Sequence, residues 1–478
     1  MISTKQIVHY LFSSTLGTLL SCGQLLGQSK AQSYVIDDEH QMIVWNVALP
    51  EEEDKTRSEL KMTFAPDCSC ILKVPSYTDK QTIDCKGKTY MLYLTPRPII
   101  TLNAPNPIVD SPKKEAAFTY VHNSDTLTTL TGVELRGNIS LQFPKKSYDL
   151  EFWKDVTGKE SVSKSVDTLR DDDDWILDGL YNEPLRLRSF FGLQLWRKMY
   201  VLPYQTEEPD AKSGIGMSFV EVAINGSYKG LYALTEGVDR KLLQLQKNQG
   251  DTVQGLLYKA SSYEGGPDFT KAPKPENAFP HWAGFEMKYP VIDYSYTYDA
   301  LFELNDLVVN GSSDEFRKKI ASYVDIDNCI NYYILVNTLR ATDNLGKNYY
   351  LARYKNDRPF FFVAWDLDGT MGIIQDGKRI PTTDDVLSNG LFKRLWEENP
   401  NEYQNKVRQR WSELRESFLS TDTMLGELEK WYALFEKQKV YEREAILWPS
   451  DQMHQDHWIY LEEWLTKRLT FLDRHFSR

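Results

Sequence analysis

The chain has 478 residues, 41% hydrophobic, 13% aromatic and 26% charged, with a formal net charge of -12. That is enough apolar sequence for one large core or two smaller ones, and the composition is that of a folded chain rather than a disordered one. An acidic chain repels nucleic-acid phosphates and offers anionic lipid no basic face, so nucleic acid is excluded as a partner.

At the N-terminus, Lys5 precedes a moderately apolar run from Ile7 that ends in Leu19-Leu20-Ser21-Cys22-Gly23. A basic start, a short apolar stretch and a small-residue processing site make an export signal. The run is too short and too rich in Ser and Thr for a membrane span. Its ending resembles a bacterial lipobox, in which Cys22 carries lipid; the other reading is ordinary cleavage near Ala31, with Cys22 discarded. The expected location is the bacterial cell envelope, in the periplasm or on the surface, with Cys22 as the membrane attachment. Cys68, Cys70 and Cys85 cluster, and Cys329 stands apart. An oxidising compartment allows one disulfide among the first three, and Cys68 with Cys85 is easier to join than the near-adjacent pair. Cys-x-Cys plus one Cys is not a zinc pattern.

After the signal (residues 1–22), Tyr34-Val35-Ile36, Met42 to Trp45 and Tyr90 to Leu94 predict short strands of a small all-β module over 23–96. Prolines 96, 98, 105, 107 and 112 then punctuate the chain, which places a boundary near Pro96. From there to 478 strands and helices mix, so the fold class is α+β. Asn225-Gly226 between Phe219–Ile224 and Gly230–Leu234 signals a hairpin. A second hairpin runs Tyr349 to Tyr354, turns over Lys355 to Arg358, and returns from Pro359 to Ala364. Between them Asp325 to Leu339 has helical spacing. Ser261 to Pro280 reads as a surface loop, and Asn389 to Arg478 as mostly helical, with Trp396, Trp411, Trp431, Trp458 and Trp464 as packing anchors.

The chemistry centres on Asp343-Asn344-Leu345-Gly346-Lys347-Asn348, a loop between helix and strand. Asp and Asn five positions apart match the spacing of a kinase catalytic loop, where the Asp takes the acceptor hydroxyl and the Asn binds metal. With the turn at Lys355–Arg358, Tyr354 faces Pro359 and Asn348 faces Trp365, so Trp365-Asp366-Leu367-Asp368-Gly369 returns beside the loop. In extended chain Asp366 and Asp368 project to one side. Together with Asn348 they make a hard-oxygen site for Mg²⁺, completed by nucleotide phosphates. The bland reading is that Asp366 caps the next element and Asp368-Gly369 is a turn.

Upstream, Lys146, Tyr148, Leu150 and Phe152 share the apolar face of a predicted strand, and Lys145 shares the solvated face. An inward Lys146 needs anions, phosphate or a carboxylate, unless it snorkels from a sheet edge. Glu236, expected in the first turn of a helix capped by Thr235, is the chosen carboxylate partner. Arg136 with Gly137 suits a phosphate-facing turn. Arg188 either meets phosphate or holds the fold. Arg170 to Asp174 reads as a solvated loop.

Leu135 to Asn138, Phe143 to Leu150, Asp174 to Leu177, Leu187-Arg188, Phe219 to Asp239, Leu257 to Lys259, Asp343 to Tyr350 and Trp365 to Gly369, in that order, resemble the CotH kinase family over 97–478. The resemblance implies a divergent protein-kinase-like domain that transfers phosphoryl from ATP, with Mg²⁺ or Mn²⁺, to Ser or Thr of a protein acceptor. Carried across, Asp343 is the catalytic Asp, Asn348 and Asp366 hold metal, Asp368 is a further acidic ligand or support, and Lys146 with Glu236 positions the nucleotide. Glu183 and Ser189 depart from the family's usual Asp and Asn. Export sets this reading against the scarcity of ATP outside the cytoplasm. Two others stand beside it: an adhesin-like surface protein on a kinase scaffold, and a calcium-stabilised carbohydrate binder.

Overall fold

Short runs of β-branched and aromatic residues, cut by Gly, Pro, Asn and Asp, build the first half of the chain as strands. The computed structural model describes residues 31–49, 59–250, 252–276, 279–291, 297–449 and 453–476, so the expected signal segment and Cys22 lie outside the described residues. The architecture is α+β with a β-rich N-terminal region. The chain divides into two units. One contains the residues through Tyr181, Met217–Glu236 and Ala433–Asp451; the other contains Asn182–Gly216, Gly237–Tyr432 and Gln452–Arg478.

In the first unit, β1 (Tyr34–Asp37), β2 (Met42–Asn46), β5 (Gln81–Cys85) and β6 (Lys88–Thr95) form a sheet in the order β1-β2-β6-β5. A separate hairpin, β3 (Glu59–Ala65) with β4 (Cys68–Lys73), is tied to β5 by the disulfide Cys68–Cys85. Seven further strands close into a barrel: β7 (Ile99–Asn103), β8 (Lys114–His122), β9 (Asp125–Arg136), β10 (Ser147–Trp153), β13 (Asp174–Asp178), β14 (Met217–Ile224) and β15 (Ser227–Glu236). A two-stranded pair, β11 (Lys164–Ser165) with β12 (Asp171–Asp172), precedes β13. Closure leaves the barrel no open edge, and alternate residues fill its interior. Phe118, Leu150, Phe152, Trp175, Val220, Val222, Tyr232 and Leu234 are fully buried there. The β14–β15 hairpin turns on Asn225 and Gly226, both with positive φ, as a two-residue loop of this kind requires. The boundary near Pro96 falls between the two sheets and inside one unit. Val35, Val44 and Tyr93 share a buried cluster with Ile99, Ala223 and Tyr228.

The second unit holds a five-stranded sheet, β16 (Leu256–Ala260), β17 (His281–Trp282), β18 (Phe285–Tyr289), β19 (Tyr349–Arg353) and β20 (Phe360–Ala364), in the order β17-β18-β16-β19-β20. The helix Ile326–Leu339 packs on β20, and all but one of its residues are buried. Asp325 caps it by accepting from the Asn328 amide at 2.9 Å. The Asn328 side chain accepts from Phe362 N at 2.6 Å and donates to Phe362 O at 3.0 Å, which satisfies the middle of the edge strand. The unit also holds helices Arg188–Met199, Asp299–Val309, Ser313–Tyr323, Gly390–Glu398, Tyr403–Arg415 and His454–Phe476, with Trp411 and Trp464 buried. The Ser261–Pro280 loop is less solvated than its composition suggests: Phe269 is 2% exposed, and Asn305 donates to Gly266 O at 2.8 Å.

His457 is buried, and its Nδ1 finds no hydrogen-bond partner. Burial first, then the charges of Arg379 and Arg188, push its pKa down to about 4 against the opposing pull of Glu183 and Asp456. The unfolded chain binds this proton below about pH 6.5. The neutral ring's contribution is therefore complete above about pH 6.5 and is lost as pH falls towards 4. Melting temperature should fall across that window, and His457→Gln should flatten the fall in a thermal-denaturation series.

Candidate functional site

In the second unit, the β19–β20 ladder pairs Tyr349 with Ala364 and Arg353 with Phe360. Extended by one residue, that register sets Asn348 opposite Trp365, as the turn position predicts. Asn344 then closes the end of the hairpin. It is 2% exposed, and its amide nitrogen donates to Asn348 O at 2.6 Å and to Trp365 O at 2.7 Å. Its own carbonyl accepts from Tyr332 Oη at 2.8 Å, which ties the loop to the buried helix. Asn348 and Asp366 both lie in the left-handed region, at φ 59° and φ 54°. Such conformations in non-glycine residues persist where the surrounding structure imposes them, and they gather at functional sites.

Asp343 opens a single 3₁₀ turn whose carbonyl accepts from Gly346 N and Lys347 N. Its Oδ1 accepts from Tyr263 Oη at 2.8 Å. Lys347 Nζ lies 3.1 Å from Oδ2, but that oxygen has no hydrogen-bond partner, so the pair is an ionic contact. Burial, then the hydrogen bond and charge of Asp343, hold the Tyr263 phenol well above its ordinary range.

Strand alternation does not reach Asp366 and Asp368. β20 ends at Ala364, and the left-handed Asp366 turns the chain out of the extended conformation that the same-side expectation needs. Asp366 is exposed, whereas Asp368 is half-buried and accepts from Asn182 Nδ2 at 2.5 Å and Gly369 N at 2.6 Å. Among the described residues no three His, Cys, Asp or Glu side chains gather for a metal. The register brings Asn348 and the exposed Asp366 to the same hairpin end, and Mg²⁺ takes one or two carboxylates and leaves the rest of its shell to phosphate and water. Arg188 is fully buried, bonded to Glu183, and directed at Met371 O. Glu183 also accepts from Leu185 N and Arg188 N, so this pair anchors the start of the helix Arg188–Met199. Arg188 therefore holds the fold.

In the first unit the two lysines exchange places. β10 begins at Ser147, so Lys145 and Lys146 precede the strand and escape its alternation. Lys145 is the buried one. Its Nζ donates to Leu231 O at 2.6 Å and to both oxygens of Glu444 at 2.8 and 2.9 Å. Lys146 is half-buried and donates to Leu141 O at 2.7 Å. Glu236 ends β15 rather than opening a helix, is fully buried, and accepts from Arg170 N at 2.9 Å. Thr235 lies inside the strand, and the short helix Arg240–Leu243 is capped by Asp239. The Arg170–Asp174 run is not a solvated loop: Asp172 is 2% exposed and pairs with Arg170. Arg136 ends β9, with its Nε 3.7 Å from Asp149.

The family model described as CotH kinase protein matches residues 133–472, more than half of the chain. The chain belongs to the CotH kinase protein family. The match starts within β9, so the sheet β1-β2-β6-β5 and the β3–β4 hairpin lie outside it. Among curated proteins, the chain is similar to inner spore coat protein H of Bacillus subtilis (strain 168), 22% identical over 251 residues. That alignment covers 52% of this chain and 60% of the relative, so the chain spans less than two thirds of that relative's length.

Asn344, Tyr263, Asn182, Lys145 and Glu444 carry no role in the sequence analysis. Asn344 has one usable signal, a polar side chain in a loop between a largely apolar helix and a largely buried strand, where it must find partners. Glu444 has none, standing 299 residues from Lys145.

Two outcomes follow for purified variants. Lys145→Met strands a buried carboxylate and should cost about 3–5 kcal/mol in denaturant unfolding, whereas Lys146→Met should leave stability nearly unchanged. Asn344→Ala leaves two carbonyls without their donor and should cost about 1–3 kcal/mol.

Proposed function

We propose that this chain is an atypical protein kinase that transfers the γ-phosphoryl group of ATP to a side-chain hydroxyl of a protein, Ser or Thr by family resemblance. The observation that carries the reading is the Asn344 bridge, which holds the Asp343–Asn348 loop against Trp365-Asp366. Phosphoryl transfer asks little covalent chemistry of a protein; positioning and charge do most of the work. Asp343 would take the acceptor hydroxyl and its proton. Asn348 and Asp366 would hold Mg²⁺ or Mn²⁺. When bound, the cation neutralises and orients phosphate oxygens. Asp368, engaged with Asn182 and Gly369, would support the turn rather than ligate.

Lys146 and Arg136, to which the resemblance gives phosphate, belong to the barrel unit, where Glu236 is a buried support for the Arg170 segment. Lys145 is given to Glu444. The relative's name also supports an envelope or surface location; export by the N-terminal signal and lipid at Cys22 are proposed from the sequence pattern alone. Among the described residues no helix is long and apolar enough to cross a membrane. The same name, that of a coat protein, favours a second reading: a surface structural protein on this scaffold, with no turnover.

Calorimetric titration of ATP into the purified protein, with and without Mg²⁺ or Mn²⁺, separates the two. The expected result is metal-dependent binding that Asp366→Ala weakens by about 10–100-fold or more, the scale on which even outer-shell ligand partners act. Binding that needs no metal, or that ignores Asp366, would overturn the metal assignment. No binding in any metal would leave the structural reading.

A further inference from the structure

An exposed tyrosine ordinarily turns its hydroxyl to water. Tyr263 is 56% exposed, yet its hydroxyl donates to Asp343 Oδ1 at 2.8 Å. Its ring lies against Gly346, where a Cβ would stand 2.4 Å from a ring carbon, so a larger residue there would displace the ring. Lys347 Nζ lies 5.6 Å from the ring centroid, within cation–π range. The segment that carries the ring is fastened along its length. Ser262 N donates to Gly284 O, Gly266 N to Ala283 O, and Gly390 N to Asp268 O. Tyr349 Oη donates to Pro267 O at 2.6 Å. A phenol is thus seated with its ring over a glycine, a cation beside the ring, and its hydroxyl on the carboxylate assigned to the acceptor.

We propose that Tyr263, seated on Asp343, Gly346 and Lys347, is itself a phosphoryl acceptor in cis. This rests on the phosphotransferase reading above. In the step, the bond from the γ-phosphorus to the β,γ-bridging oxygen breaks and ADP leaves with that electron pair. A bond forms from the phosphorus to the Tyr263 phenolic oxygen, whose proton passes to Asp343 Oδ1. The product carries close to two negative charges against Asp343, so repulsion expels it from this seat and clears the place for an acceptor in trans.

The test incubates the full chain with ATP and Mg²⁺ or Mn²⁺ and maps phosphopeptides. Phosphotyrosine at Tyr263 is expected, lost in Asp343→Asn and in Asp366→Ala, at a rate per molecule unchanged by tenfold dilution. A second readout needs no nucleotide. In protein labelled with ¹³Cζ-tyrosine, the resonance absent from Tyr263→Phe should shift in Asp343→Asn. An unmoved resonance overturns the contact, and a rate that falls with dilution overturns the cis step. Metal-dependent ATP binding and transfer to myelin basic protein, with Tyr263 unmodified, overturns this proposal and leaves the kinase reading standing. No ATP binding removes both.

Discussion

A primary amide has two hydrogens, and the nitrogen of Asn344 donates to two backbone carbonyls, those of Asn348 and Trp365. Each carbonyl belongs to a residue just outside the β19–β20 ladder, where no strand partner remains to take it. The bridge therefore extends the hairpin by side-chain bonding where main-chain pairing stops. Because the site is nearly closed to water, losing the donor would leave buried acceptors unpaired, and that asymmetry makes the arrangement stiff. Asn348 and Asp366, both at positive φ, stand at the two ends of that bridge.

The barrel unit meets a different constraint, the burial of charge. Glu444 accepts from Lys145 and from Leu231 N at 2.7 Å, and it reaches that amide across Gly230, where a Cβ would lie 2.1 Å from its Oε1. Next to it in sequence, Arg443 donates to Glu221 at 2.6 Å and to Tyr228 Oη at 2.9 Å. Burial would push the Glu221 carboxyl up, but Arg443 and then Arg97 outweigh it and hold the group below its ordinary range. Such pairs add little net stability over apolar packing, but each is costly to break. They fix one placement of the helix Val440–Leu447 on β15.

Local features stood out where one or two residues impose a geometry. Asn225-Gly226 allowed only a tight hairpin, and the turn at Lys355–Arg358 carried the register of β19 and β20 to Asn348 and Trp365. Asp325 and the apolar spacing behind it marked a helix that appears as Ile326–Leu339. Alternation misled at the lysines because it holds only within a strand, and β10 starts one residue after Lys146. It misled again at Asp366 and Asp368, where the chain has left β20 for a left-handed turn.

By itself, then, the sequence determined the mixed α+β class, the principal hairpins and buried helix, and the set of polar residues around Asp343 and Asp366, because propensity, turn chemistry and periodicity act between near neighbours. Tertiary structure alone decided which lysine is buried, that Arg188 serves Glu183, that Asn344 spans the hairpin end, and that Tyr263 rests on Asp343. Those choices depend on partners up to hundreds of residues apart, and a buried charge or amide takes whichever partner the fold brings within hydrogen-bonding distance.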